Sequence, residues 1–349
     1  MNISLLTIWH EMNYGAELQA YATIKLLQKQ GHQVEMIYIL LSDCRKPNLN
    51  GKIGNVISHF GPGRRKFVSF WRKYIPVSKR YSTLEQLISD PPKGDIYMVG
   101  SDQVWNPDLT GEFAKLFFLN FGDENIRRIS FASSFGSSEW SHIKLIDEVK
   151  ELLHRFSTVS CREQSGIDIL KNTFGVEADL VLDPTLLLED YSELTGTLKR
   201  KRSIVYYPLS DDPELMSYAR HLSEQLGYQL INNNQSSKIL GRFPWDRISI
   251  EEWIRNIAES QFVITRSFHG LAFSIIYKRP FAIIANKNNR GTRILNLLEQ
   301  LGIQNRYYEN IEACEEAKPW NQPIDYEAVY GKLIQLRSKS IDYLNIALR

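Results

Sequence analysis

Short apolar runs alternate with amphipathic stretches along the chain. Ile3 to Ile8 is an apolar run of strand length, and a polar break, HEMN, follows it. Ala16, Ala20, Ile24 and Leu27 then recur at helical spacing, and Gly31 ends that helix. Val34 to Leu41 reads as a second strand. Strand, helix and strand in this order predict a parallel pair joined by a right-handed crossover. Further strands are predicted at Ile96–Val99, Arg128–Ala132 and Thr158–Cys161, with a helix from Ser141 to Arg155 between the last two.

Between Glu189 and Arg202 the rhythm lapses into EDYSELTGTLKRKR, which reads as a linker. It then restarts with strand Ile204–Leu209, helix Pro213–Leu226 and strand Gln229–Asn232. Ser249 and Glu252 form a capping box for a helix ending near Ser260. Strand Phe262–Thr265, helix His269–Tyr277, strand Phe281–Ala285 and helix Thr292–Leu301 follow. A last amphipathic helix is predicted from about Tyr326 to Ala347. The chain is thus read as residues 1–188, residues 203–325 and a C-terminal helix over 326–349. Two α/β halves of similar size imply a cleft between them, a favoured place for a ligand.

Composition narrows the class. A length of 349 residues suits about two domains, and 43% hydrophobic residues suffice for cores. The net charge of +2 offers no basic field for nucleic acid. Cys44, Cys161 and Cys314 lie far apart without metal-ligand spacing, which fits a reducing compartment. His10 and His32 lack partners at ligand spacing, so no metal is expected. No signal-peptide pattern opens the chain and no apolar run approaches membrane-spanning length. A cytoplasmic protein is expected.

Four loops after predicted strands carry unusual polar content. Asn13-Tyr14-Gly15-Ala16 opens the first long helix, where backbone N–H groups favour an anion or sugar hydroxyls; on local grounds alone an ordinary Asn13 cap with a tight turn at Gly15 is the better explanation. Gly100-Ser101-Asp102-Gln103 puts a carboxylate at a strand end, suited to act as a base on a hydroxyl, with Trp105 placed to stack on a sugar face or to fill the core. Phe131 to Gly136, containing Ser133 and Ser134, permits close backbone approach or forms a simple turn. Thr265-Arg266-Ser267-Phe268-His269-Gly270 ends a strand in a cation, a hydroxyl and an imidazole, a set suited to a phosphate. Arg290 and Arg293, near the start of the next helix, are candidates for the same anion. A Walker loop and a post-strand GxGxxG are both absent, which weakens ATP and dinucleotide readings.

From Gly61 to Tyr81 the chain reads GPGRRKFVSFWRKYIPVSKRY. Its bases surround Phe67, Phe70, Trp71 and Tyr74, which share one helix face. Such a segment suits peripheral contact with an anionic membrane, or docking of the aromatics on the N-terminal domain with the bases left in solvent.

Taken together, the loops resemble the polysaccharide pyruvyl transferases over nearly the whole chain. The matching stretches are NYGAELQAYA (Asn13–Ala22), VGSDQVWNP (Val99–Pro107), FASSFG (Phe131–Gly136), SCREQSG (Ser160–Gly166), LDPTLLL (Leu182–Leu188) and SFHGLAFSIIYKRPF (Ser267–Phe281). The resemblance implies a GT-B-like fold, with two Rossmann-like domains facing across a cleft. It also implies transfer of the pyruvyl group of phosphoenolpyruvate to two hydroxyls of one sugar, forming a cyclic ketal and releasing phosphate, in bacterial surface polysaccharide synthesis. Phosphoenolpyruvate is then a co-substrate, and no cofactor is implied. The C-terminal half is expected to bind phosphoenolpyruvate through Arg266, Ser267, His269, Gly270, Arg290 and Arg293. The N-terminal half is expected to hold the sugar acceptor, carried on a polyprenyl diphosphate, through Asn13, Tyr14, Gln19, Ser101, Trp105 and Ser134.

The chain departs from the family at one place. Several members have Arg two residues before the motif His, where this chain has Ser267. A bacterial branch shares that Ser but precedes it with Asp, where this chain has Arg266. His269 is the expected acid or phosphate contact and Asp102 the expected base, with Arg266 and Arg293 as anion clamps. A GT-B glycosyltransferase using a nucleotide sugar is the alternative, because a diphosphate is also an anion.

Overall fold

In the computed structural model the described residues are 1–9, 12–39, 62–209, 212–234, 247–285 and 291–349. Expected features on His10, Cys44, Arg290 and the last two residues of the strand ending at Leu41 lie outside them. The chain forms two compact units. The first comprises residues 1–56, 70–188 and 335–349, and the second residues 57–69 and 189–334.

The first unit is built on a six-stranded parallel sheet. Its strands are β1 (Asn2–Leu6), β2 (Gln33–Ile39), β3 (Val77–Tyr81), β4 (Ile96–Val99), β5 (Arg127–Ser130) and β6 (Phe156–Thr158), in the order 3-2-1-4-5-6. β1 and β4 lie side by side with Leu6 opposite Val99. The central strands are apolar on both faces because both faces are covered. Helix α1 (Tyr14–Lys29) is buried nearly all round, so it forms part of the core rather than a half-wet surface layer. The segment predicted as one strand over Thr158–Cys161 divides. Its first residue closes β6, while Ser160–Cys161 forms β7 and pairs with β8 (Asp179–Leu180) in a separate two-stranded sheet.

Two buried arginines brace loops through carbonyls. Arg128 in β5 donates to the carbonyls of Leu119, Phe121, Asp123 and Ile126 at 2.7 to 3.1 Å. Burial lowers its pKa to about 10. Arg306 in the second unit does the same for Pro319, Gln322 and Pro323. Each satisfies buried acceptors that a loop leaves without a ladder.

Helix α2 (Pro62–Tyr74) settles the basic and aromatic segment. Phe67, Phe70, Trp71 and Tyr74 are all buried. In the first unit Phe70 and Tyr74 pack on Tyr21, and Trp71 packs edge-on against Trp9 and donates to Glu17. The aromatic face is therefore internal, and the expectation that it meets a bilayer is corrected. Arg65, Arg72 and Lys73 remain exposed. Among the described residues no helix is long and apolar enough to cross a membrane.

The second unit holds a five-stranded parallel sheet. Its strands are β9 (Ser203–Tyr207), β10 (Gln229–Asn232), β11 (Phe262–Thr265), β12 (Phe281–Ile284) and β13 (Tyr307–Tyr308), in the order 10-9-11-12-13. Helices α3 (Pro213–Leu226), α4 (Ile250–Glu259), α5 (Phe268–Ile276) and α6 (Thr292–Leu301) surround it. Ser249 caps α4 through the nitrogen of Glu252 at 3.1 Å, as the capping-box pattern predicts. Helix α7 (Tyr326–Ala347) begins in the second unit and ends in the first. Its Tyr330 hydroxyl donates to the carbonyl of Ile276, whereas its Tyr343 hydroxyl donates to that of Ser130.

Candidate active site

Open parallel sheets bind ligands beyond their carboxyl strand ends, where the strand order reverses. In the first sheet that point lies between β1 and β4. The loops after these strands carry Asn13 and Ser101-Asp102. In the second it lies between β9 and β11, whose loops carry Leu209 and Arg266 to His269. Positive φ occurs at Met12 and Asp102 in the loops after β1 and β4 and at Leu209 after β9, as well as at Leu119, Ala132, Lys278 and Lys318 elsewhere. Such conformations cost about 1–3 kcal/mol each, and they cluster at functional sites.

Asp102 has φ 73° and is 9% exposed. Bridges from Asp102 to Ser133 and from Ser133 to Cys161 carry the pairing beyond β4 and β5 to β7. Its Oδ1 accepts from Arg162 Nη2 at 3.1 Å. Arg162 Nη1 donates to Asp183 Oδ2 at 2.5 Å and to Ser101 Oγ at 3.2 Å. The Ser101 hydroxyl itself donates to Asp183 Oδ2 at 2.8 Å. Glu163 lies 3.8 Å from the same guanidinium and accepts from the nitrogen of Phe135 at 3.0 Å. The side chains of Arg162 and Asp183 are fully buried, so this is an ion network inside the unit with Asp102 at its wet edge. Burial alone would lower the pKa of Arg162, but Asp183, Asp102 and Glu163 together hold it above its ordinary value. Burial pushes the neighbouring Cys161 thiol well up, and Glu163 adds to the effect, so Cys161 is inert as a nucleophile.

The expected acceptor residues divide. Asn13 is exposed, and its side chain caps α1 at the nitrogens of Gly15 and Ala16. Tyr14, Gln19, Ser101, Trp105 and Ser134 are fully buried, which corrects the expectation that they touch a sugar. Trp105 stacks on Phe118 with 5.4 Å between ring centres and donates to the carbonyl of Phe117 at 2.9 Å. Gln19 Nε2 donates to Thr7 Oγ1 at 3.0 Å, and Thr7 Oγ1 donates to the carbonyl of Ser101 at 2.6 Å. These two therefore tie the β1 loop to the β4 loop. Ser134 accepts from the nitrogen of Gly136 at 3.1 Å, holding the turn.

The second unit's loop divides in the same way. Arg266 pairs with Asp212, the residue that caps α3, and donates from Nε to the carbonyl of Ile284 at 3.2 Å. Its charge is thus neutralised within the unit, which corrects the expectation of an available anion clamp. Ser267 caps α5, accepting from the nitrogen of Gly270 at 3.3 Å. Gly270 is required for packing rather than for ligand approach: a Cβ there would lie 2.4 Å from Thr265 Oγ1. His269 is 7% exposed on the first turn of α5, with its ring edge-on to Phe268. Arg293 is half-buried on the first turn of α6, and Arg290 lies outside the described residues.

The sequence pattern described as polysaccharide pyruvyl transferase matches residues 13–288. The chain belongs to this family. The match begins at the cap of α1 and runs through both switch-point loops. No curated protein sequence matches the chain. Its fold is similar to that of the Methanocaldococcus jannaschii UDP-GlcNAc 2-epimerase solved with UDP-GlcNAc and UDP, at 14% identity and a TM-score of 0.52, covering 96% of this chain and 99% of that one. The S. aureus MnaA–UDP structure aligns at 12% identity and a TM-score of 0.49, over 95% of this chain and 90% of that one. The chain is an α/β protein of GT-B-like class, with two Rossmann-like units.

Arg162, Glu163 and Asp183 had no role in the sequence reading, although SCREQSG and LDPTLLL contain them. A signal was present: an Arg-Glu pair directly after the strand predicted to end at Cys161, and an Asp ahead of a Pro.

Proposed function

We propose that this transferase moves the pyruvyl group of phosphoenolpyruvate onto two hydroxyls of one sugar as a cyclic ketal. The observation that carries the reading is the position of Asp102, a strained carboxylate at the wet edge of the switch point within a chain of this family. In the first unit Asp102 takes the proton of a sugar hydroxyl as that oxygen attacks. In the second, His269 gives a proton to the enol methylene, which makes the central carbon electrophilic. The first hydroxyl adds to that carbon. The second hydroxyl displaces phosphate and closes the ring, its proton leaving with the phosphate, and the proton held by Asp102 returns through solvent to restore His269. Arg293 meets the anionic co-substrate from the first turn of α6.

The test is release of inorganic phosphate from phosphoenolpyruvate, with the product read by mass, across a panel of aryl and polyprenyl-diphosphate-linked sugars. Phosphate release that depends on acceptor, with the mass of a ketal, is the expected result. Transfer from a nucleotide sugar with phosphoenolpyruvate untouched would replace this reading by glycosyl transfer.

A further inference from the structure

The buried ion network of the first unit has a graded geometry. Asp183 is fully enclosed and already committed through Oδ1, which accepts from the nitrogen and the hydroxyl of Thr185 at 3.0 and 2.6 Å. Its Oδ2 holds Nη1 of Arg162 and the hydroxyl of Ser101. Arg162 therefore cannot turn. Its second terminal nitrogen, Nη2, reaches Asp102 Oδ1 at 3.1 Å. Asp102 keeps 12% of its side chain exposed, and among the described residues no hydrogen bond reaches its Oδ2. One carboxylate oxygen is held from inside the protein, and the side chain keeps a small exposure.

We propose that Arg162, anchored by Asp183, is a positioning residue that fixes Asp102 with Oδ2 directed to the acceptor; this rests on the reading of Asp102 as the base. A planar guanidinium suits the task. Its two terminal nitrogens serve two carboxylates at once, which the single ammonium of lysine cannot do in the same geometry. The charged groups facing Asp102 are Arg162, directly after β7, with Glu163 and Asp183 behind it.

The experiment compares wild type with Arg162→Lys, Asp183→Asn, Ser101→Ala and Asp102→Asn. Phosphate release is read as kcat and acceptor KM, and folding is followed by thermal melting. Arg162→Lys is expected to lower kcat by roughly 10- to 100-fold and leave acceptor KM within about threefold, because one ammonium cannot hold both carboxylates in the same geometry. Asp183→Asn is expected to lower kcat in the same way by less. Ser101→Ala, which deletes one hydroxyl, keeps the test open if the buried ionic variants do not fold, and it too is expected to lower kcat without raising acceptor KM. An unchanged kcat in the folded variants, with Asp102→Asn inactive, would overturn the positioning role and leave the base in place. Activity retained in Asp102→Asn would instead remove the base, and the positioning role with it.

Discussion

Arg266 and Asp212 pair across the switch point of the second sheet, the arginine from the end of β11 and the aspartate from the cap of α3. Their side chains are 12% and 19% exposed, so solvent screens the pair only in part. The arginine therefore joins two loops. Arg266→Ala and Asp212→Ala are each expected to lower the melting temperature, and the double variant to lose less than the sum. A coupling of about 0.5–3 kcal/mol is the range for contacting residues. The KM for phosphoenolpyruvate should change little in Arg266→Ala. A tenfold rise in that KM without loss of stability would return Arg266 to anion binding.

Asp102→Asn is the informative change at the base. Asn tolerates positive φ at least as well as Asp, so the strained backbone at 73° survives the replacement. Turnover is expected to fall by roughly 10²–10⁴, the usual contribution of an acid–base group. His269→Gln should fall comparably, because Gly270 and Ser267 still seat α5. Steady-state phosphate release together with a melting curve checks both, and a folded, fully active His269→Gln would end the acid assignment.

Trp105 belongs to the core, so its replacement is predicted to act on stability. Trp105→Ala should cost about 3–5 kcal/mol, the range for deleting a buried large aromatic. Trp105→Phe should cost less, keeping contact with Phe118 while leaving the Phe117 carbonyl without its donor. Chemical denaturation measures both losses. Acceptor KM in Trp105→Phe should stay near wild type, which a ring stacked on the sugar would not allow.

Glu259 supplies an acid-sensitive contact in the second unit. It accepts from the nitrogen of Lys199 at 2.9 Å and pairs with Lys201. Burial works to raise its pKa, but these partners and Arg255 outweigh it and hold it below 4.5. A group whose pKa is lowered by folding stabilises above its unfolded value, and that stabilisation is lost as pH falls through the folded one. The difference in melting temperature between wild type and Glu259→Gln should be largest near neutrality and shrink as pH drops below about 4. A difference that does not vary with pH would show that the charge plays no part.

Much of the frame was legible in the chain. Ile96–Val99, Pro213–Leu226, Phe262–Thr265, Thr292–Leu301 and Tyr326–Ala347 appear where the pattern places them. Each is either an unbroken apolar run or a strongly periodic stretch with clear ends. β3 was not legible, because VSKRY is an edge strand and edge strands are often polar and basic. The site was legible as a set of loops but not as a set of orientations. Periodicity identifies the loop after β4, yet it does not reveal that the chain turns Trp105 inward and leaves Asp102 at the edge. Nor does it reveal that Arg266 meets a carboxylate 54 residues away. Local spacing carries no record of such pairings.

Helix α7 bears on how the molecule is made. Ser340 accepts from the nitrogen of Leu182, Arg337 donates to the carbonyl of Leu186, and Tyr343 closes on Ser130. These partners belong to the first unit, but the helix leaves the ribosome only after the entire second unit has emerged. The nascent first unit thus waits, with part of its packing open, through synthesis of the second. Folding of the two units is coupled in time by the order of the chain.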